Sequence, residues 1–99
     1  MQLMKAKNTI FIDVDGTLLI DGQANKKLVA WLSAVPAGQF EIILWSSRGK
    51  DHAEKAARFT GTTSYFAAII SKPNYIIDND GLKWVRLVES MNHVAFECS

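Results

Sequence analysis

The chain has 99 residues, 48% of them hydrophobic and 21% charged, enough for one folded domain with a single core and unlike the composition of a disordered chain. Eleven basic residues against ten acidic ones leave a net charge of +1, too balanced to point to nucleic acid or an anionic membrane as partner. One cysteine, Cys98, excludes an internal disulfide, and the short apolar run near the N-terminus is broken by acids, so neither a signal peptide nor a membrane span is expected and a cytoplasmic location is.

In chain order, "TIFIDV" (Thr9 to Val14) is a continuous apolar, β-branched run, the pattern of a strand buried on both faces. "LLIDGQA" follows, with Asp21-Gly22 between short apolar flanks, a two-residue hairpin signal. Asn25 is placed to cap a helix over "KKLVAWLSAV", with Leu28, Val29 and Leu32 on one stripe and Pro36 closing it. "FEIILW" (Phe40 to Trp45) predicts a second buried strand and "SSRGK" a polar loop. Asp51 and Glu54 have capping-box spacing for a helix through Phe59, ended by Gly61. "SYFAAII" (Ser64 to Ile70) predicts a third strand, and "NYIID" (Asn74 to Asp78), introduced by Pro73, a fourth. "GLKWVRLVESM" fits a helical stripe through Leu82, Val85 and Val88 but tolerates a strand, and "HVAFE" reads as an edge strand.

Strands alternating with helices predict an α/β fold in a single domain, residues 1–99, with a parallel sheet, right-handed crossovers and helices on both faces. Ligands of such sheets bind beyond the carboxyl ends of the strands. That rule gathers Asp13 and Asp15, then Ser46 with Ser47 and Arg48, then Lys72, and finally Asp78, Asn79 and Asp80 on one rim. Several carboxylates cannot all stay ionised side by side without a cation, and oxygen donors suit Mg²⁺. A lysine and a hydroxyl supply a point charge and a donor for a phosphoryl group, and Gly16 allows the backbone to approach an anion closely. These parts suit phosphoryl transfer, in which an aspartate can serve as nucleophile.

The same residues carry a resemblance. "DVDGT" (Asp13 to Thr17) after a hydrophobic strand matches the first motif of the haloacid dehalogenase (HAD) superfamily, Ser46 after "IILW" its second, Lys72 in "SKP" its third and Asp78 after "YII" its fourth. The resemblance spans roughly residues 8 to 81 and implies a three-layer Rossmann-like sheet. It implies a Mg²⁺-dependent phosphomonoester hydrolase: Asp13 attacks phosphorus, forming an aspartyl phosphate, and Asp15 is the general acid and base. Asp13, the Asp15 backbone carbonyl and Asp78 would hold the metal. Ser46 and Lys72, with Gly16 and Thr17, would hold the phosphoryl group, and residues 17–25 would form a mobile flap. Asn79 stands where the family often has a second acid, which makes Asn79 and Asp80, like Ser47 and Arg48, supporting candidates. Too few residues follow the first motif, and only a helix and a strand fit between Ser46 and Lys72, so no cap domain is expected. Capless relatives act on bulky substrates or close their sites by oligomerising. The substrate class stays open among sugar phosphates, nucleotides, polynucleotide ends and phosphoproteins, and self-association as a homo-oligomer is a further expectation.

Competing readings are a non-catalytic or weakly active metal- and phosphate-binding module, motivated by Asn79, and a receiver-type phosphoacceptor, disfavoured because no acid ends the third strand. His52 reads as a surface residue at a helix start and His93 has no role. Trp31, Trp45 and Trp84 read as packing residues, and Cys98 is too isolated to serve as a nucleophile.

Overall fold

A computed structural model describes residues 8–83. The element order is β1 (Asn8–Asp13), β2 (Leu19–Ile20), β3 (Gln23–Ala24), α1 (Lys26–Ala34), β4 (Phe40–Ser46), α2 (Lys50–Thr60), a 3-10 turn at Thr63–Tyr65, and β5 (Ala68–Ser71). The strands β1, β4 and β5 form a parallel sheet in that order, with Ile12 opposite Leu44 and Leu44 opposite Ile69. The expected alternation of strands and helices is therefore present as a small α/β sheet with β4 at its centre.

Two-residue periodicity divides the sheet into unlike faces. Ile12, Ile42 and Leu44 are buried in one cluster with Val14 and Leu18, with Leu28 and Leu32 of α1, and with Ala53, Ala56 and Ala57 of α2. Both helices thus pack on the same face. The alanine face of α2 has no side chain beyond Cβ, which lets the helix lie directly on β4 and β5. The opposite face carries Phe11, Ile43 and Trp45, with Phe11 and Trp45 in ring contact at 4.4 Å, and Phe11 is 44% exposed. Among the described residues the sheet has one helical layer, so β1 is buried on one face where the sequence pattern suggested two.

Local signals set most boundaries. Asp21 and Gly22 both adopt positive φ, 52° and 75°, as a two-residue type I′ turn requires, and join β2 to β3. Asn25 caps α1, its side chain accepting from the Leu28 N–H. Gly61, left-handed at φ 70°, ends α2 as expected.

Three element boundaries are corrected. The third strand, expected over Ser64 to Ile70, is shorter: Thr63–Tyr65 form the 3-10 turn and β5 begins at Ala68. Asp51 and Glu54 do not form a capping box: α2 begins at Lys50 behind Gly49, and the Lys50 N–H donates to Ser71 Oγ at 3.0 Å. A hydroxyl from a neighbouring strand does the work of a local cap, so Asp51 falls inside the first turn. The fourth strand, Asn74 to Asp78, is also absent: β5 ends at Ser71, and the following segment is irregular, with Tyr75 89% and Ile77 101% exposed. A strand requires a partner for its backbone groups. Here the chain turns instead, with Asp78 Oδ1 accepting the Asp80 N–H at 2.8 Å and the Asp78 carbonyl accepting the Gly81 N–H. Gly81–Lys83 continue as turn, and the expected elements from residue 84 onward lie outside the described residues.

Candidate functional site

The rim of the sheet is built from three chain segments. In the first, Asp13 ends β1, half-buried, while Val14 is fully buried and Asp15 exposed. Val14 pins the backbone between the two acids. The Thr17 and Leu19 N–H groups donate to the Val14 carbonyl, the Leu18 N–H to the Asp13 carbonyl, and the Gly16 N–H to the Leu19 carbonyl at 2.7 Å. Gly16 sits at φ 86°, a conformation any Cβ would strain, and this allows the reversal that leads straight into the hairpin. Asn25 holds the far end: its Nδ2 donates to the Thr17 carbonyl at 2.9 Å and its N–H to the Leu18 carbonyl. Residues 17–25 are thus a hairpin clamped at its base, in the position expected of the flap.

The second segment follows β4. Ser46 is 1% exposed, and its Oγ accepts the Arg48 N–H at 3.0 Å. Its carbonyl accepts both the Gly49 N–H and, from the chain beyond β5, the Lys72 N–H. Ser46 therefore organises the turn into α2; Ser47 beside it is exposed. Arg48, also exposed, places Nη1 3.7 Å from Asp15 Oδ1, an ion pair too long for a hydrogen bond.

The residue that sequence reasoning passed over is His52. Its Nε2 lies 3.1 Å from Asp15 Oδ2 and 3.3 Å from Oδ1, and its side chain is only 24% exposed. The signal that would have found it is positional: Arg48 and His52 are four apart across the start of a helix that issues from the same rim, so both turn toward the first strand's loop.

The third segment is looser. Lys72 places Nζ 5.6 Å from the centre of the Trp45 ring, within cation–π range, and Trp45 is the register neighbour of Asp13. Asp78, Asn79 and Asp80 lie in the exposed turn described above. Of the expected acids, Asp13 and Asp15 share one loop, and no group of three His, Cys, Asp or Glu side chains able to hold a metal occurs among the described residues.

The Asp13 carboxylate and the Asp15 backbone carbonyl are oxygen donors of the kind taken by Mg²⁺, which binds through one or two carboxylates plus substrate phosphate. The arrangement puts a half-buried carboxylate, Asp13, and an exposed one, Asp15, on one loop, with the Arg48 guanidinium near Asp15 and the Lys72 ammonium over the Trp45 ring. No helix among the described residues is long and apolar enough to cross a membrane. Comparison of the chain with protein-family models, curated proteins and solved structures finds no match in any of the three.

Proposed function

We propose that the protein is a phosphomonoester hydrolase of HAD type, a capless phosphatase working through Asp13. The observation that carries this reading is the loop Asp13 to Leu19, where two acids of a D-x-D-G-T sequence stand at the carboxyl end of a parallel strand, with the intervening valine buried and the glycine at φ 86°.

In the proposed reaction an Asp13 carboxylate oxygen attacks phosphorus, the ester P–O bond breaks, and the leaving oxygen takes a proton from Asp15. Water then gives a proton to Asp15 and attacks the aspartyl phosphate, releasing phosphate and restoring the Asp13 carboxylate. The Asp13 carboxylate and the Asp15 backbone carbonyl would hold Mg²⁺, with Asp78 joining them through the turn that carries it, and the metal would supply charge neutralisation for the phosphoryl group. Lys72 and Arg48 are the cations proposed for the phosphoryl oxygens, while the Gly16 and Thr17 N–H groups already donate to the Leu19 and Val14 carbonyls. The finer architecture belongs to the same proposal. The apolar Phe11–Trp45 face calls for a second helical layer, which would complete the three-layer sandwich.

Hydrolysis of an aryl phosphate with and without Mg²⁺ tests the reading, followed by sugar phosphates, nucleotides, phosphopeptides and 3′-phosphorylated oligonucleotides. Metal-dependent turnover that disappears in Asp13→Asn is the expected result; an inert protein on all of them overturns it. One observation favours a second reading, a phosphate-binding module with little or no turnover: Asp78 is engaged in its own turn and the Ser46 hydroxyl already accepts a backbone hydrogen bond. Phosphate binding by calorimetry without hydrolysis of any substrate would select it.

A further inference from the structure

We propose that His52 is the positioning residue for Asp15, holding its carboxylate in the orientation needed for proton transfer; this rests on the phosphatase reading above. Asp15 has few constraints of its own. Its side chain is half exposed, and its backbone is held by a single bridge to Leu19. A short acid at the surface samples several rotamers, and proton transfer needs one of them.

His52, by contrast, stands on a fixed base. The start of α2 is tied to both flanking strands: the Arg48 and Gly49 N–H groups donate to Ser46 at the end of β4, and the Lys50 N–H donates to Ser71 at the end of β5. Ala53, next to His52, is fully buried, so the helix cannot roll without opening the core. The imidazole therefore projects toward Asp15 from a rigid frame. A carboxylate only accepts, so the Nε2–H of His52 donates, and the closer approach is to Oδ2. Arg48 stands 3.7 Å from Oδ1, too far for a hydrogen bond, and its guanidinium is mostly exposed. The Nε2–H is thus shared between the two carboxylate oxygens, 3.1 Å from Oδ2 and 3.3 Å from Oδ1, and with the loose Arg48 contact on the Oδ1 side it fixes the plane of the carboxylate. In this reading His52 contacts neither substrate nor metal, and its effect runs through Asp15 alone.

The test is steady-state kinetics on an aryl phosphate with Mg²⁺ for wild type, His52→Ala, His52→Asn and His52→Gln, with thermal melts to confirm folding. Gln carries its amide nitrogen the same number of bonds from Cα as histidine Nε2, whereas Asn falls one bond short. Misplacing a general acid–base group costs about tenfold or more in turnover. The expected result is that loss in kcat for Ala and Asn, with KM and the inhibition constant of inorganic phosphate within about twofold of wild type, and recovery of most of kcat in Gln. Wild-type kcat in the folded Ala or Asn variant, a loss confined to KM, or a Gln variant as impaired as Ala overturns the positioning role while leaving the phosphatase reading intact. A wild type inert on every phosphomonoester overturns both.

Discussion

The loop that carries Asp13 and Asp15 and the segment that carries Asp78 are both polar stretches following apolar ones, yet they are held very differently. Between Asp13 and Asn25 nearly every reversal of the chain is closed by a short-range hydrogen bond, Val14 and Leu18 are fully buried beneath it, and Asn25 fastens its end to α1. From Pro73 to Lys83 every residue is exposed, and the hydrogen bonds are local turns. The contrast teaches that the two ends of the acidic constellation cannot carry equal weight: the first is preorganised by the core, while the second must be brought to its task. Preorganised groups give the larger part of a catalytic effect because no ordering cost remains to be met during the reaction.

The largest effect expected follows from that asymmetry. Asp13→Asn should lower phosphatase turnover on the order of 10⁴-fold, since an amide is a poor nucleophile and acts at the fixed end. Asp78→Asn should leave kcat at saturating Mg²⁺ within about threefold and raise the half-saturating Mg²⁺ concentration about tenfold, the scale of a group supporting a metal rather than defining its site. Equal losses of kcat in the two variants would break the comparison. They would require Asp78 to be as firmly placed in solution as Asp13.

The next effect tests what lies beneath the ordered end. Leu44 is fully buried in the middle strand, between the β1 and β5 partners that it aligns. Leu44→Ala should cost about 2–5 kcal/mol in urea unfolding, the lost transfer energy plus the cavity left under both helices. A loss below about 1 kcal/mol would mean that the centre of the sheet is not the core that positions the loop.

A smaller loss should come from the clamp of the hairpin. Asn25→Ala removes both the cap acceptor of α1 and the donor to the Thr17 carbonyl. The expected cost is about 1–2 kcal/mol. Amide exchange should quicken selectively at Leu18 and Leu28, the first reporting the hairpin base and the second the helix start. Faster exchange confined to Leu28 would show that Asn25 caps the helix without holding the flap.

How much of this was legible beforehand follows the range of the interactions concerned. Asp21-Gly22, Asn25 and Gly61 each act on neighbours within a few residues, and each was readable at its position. The strands β1 and β4 announced themselves as apolar β-branched runs, although the number of faces covered did not, because that depends on what packs above. The start of α2 was misread because its acceptor, Ser71, comes from another strand. His52 was passed over for the same reason: its partner, Asp15, is brought to it only by the parallel pairing of β1 with β4. Asn74 to Asp78 has the apolar pattern of a short strand introduced by Pro73, and a local pattern cannot supply a pairing partner.

That segment also provides the smallest and most discriminating expectation. Ile77 is 101% exposed, and Tyr75 and Ile76 beside it are open to solvent. An isoleucine that buries nothing on folding contributes nothing through the hydrophobic effect, so Ile77→Ser should change the unfolding free energy by less than about 0.5 kcal/mol. Burying that side chain fully would be worth about 1.5–3 kcal/mol, so the two states of the segment differ by more than the error of a urea titration. A loss above about 1.5 kcal/mol would therefore mean that Ile77 is covered in solution, as a fourth strand beside β5 would cover it. Asp78 would then be carried to the end of that strand, on the same rim as Asp13. The ordered and the loose end of the constellation would become alike, and the tenfold metal effect expected of Asp78→Asn would have to grow into a loss of turnover.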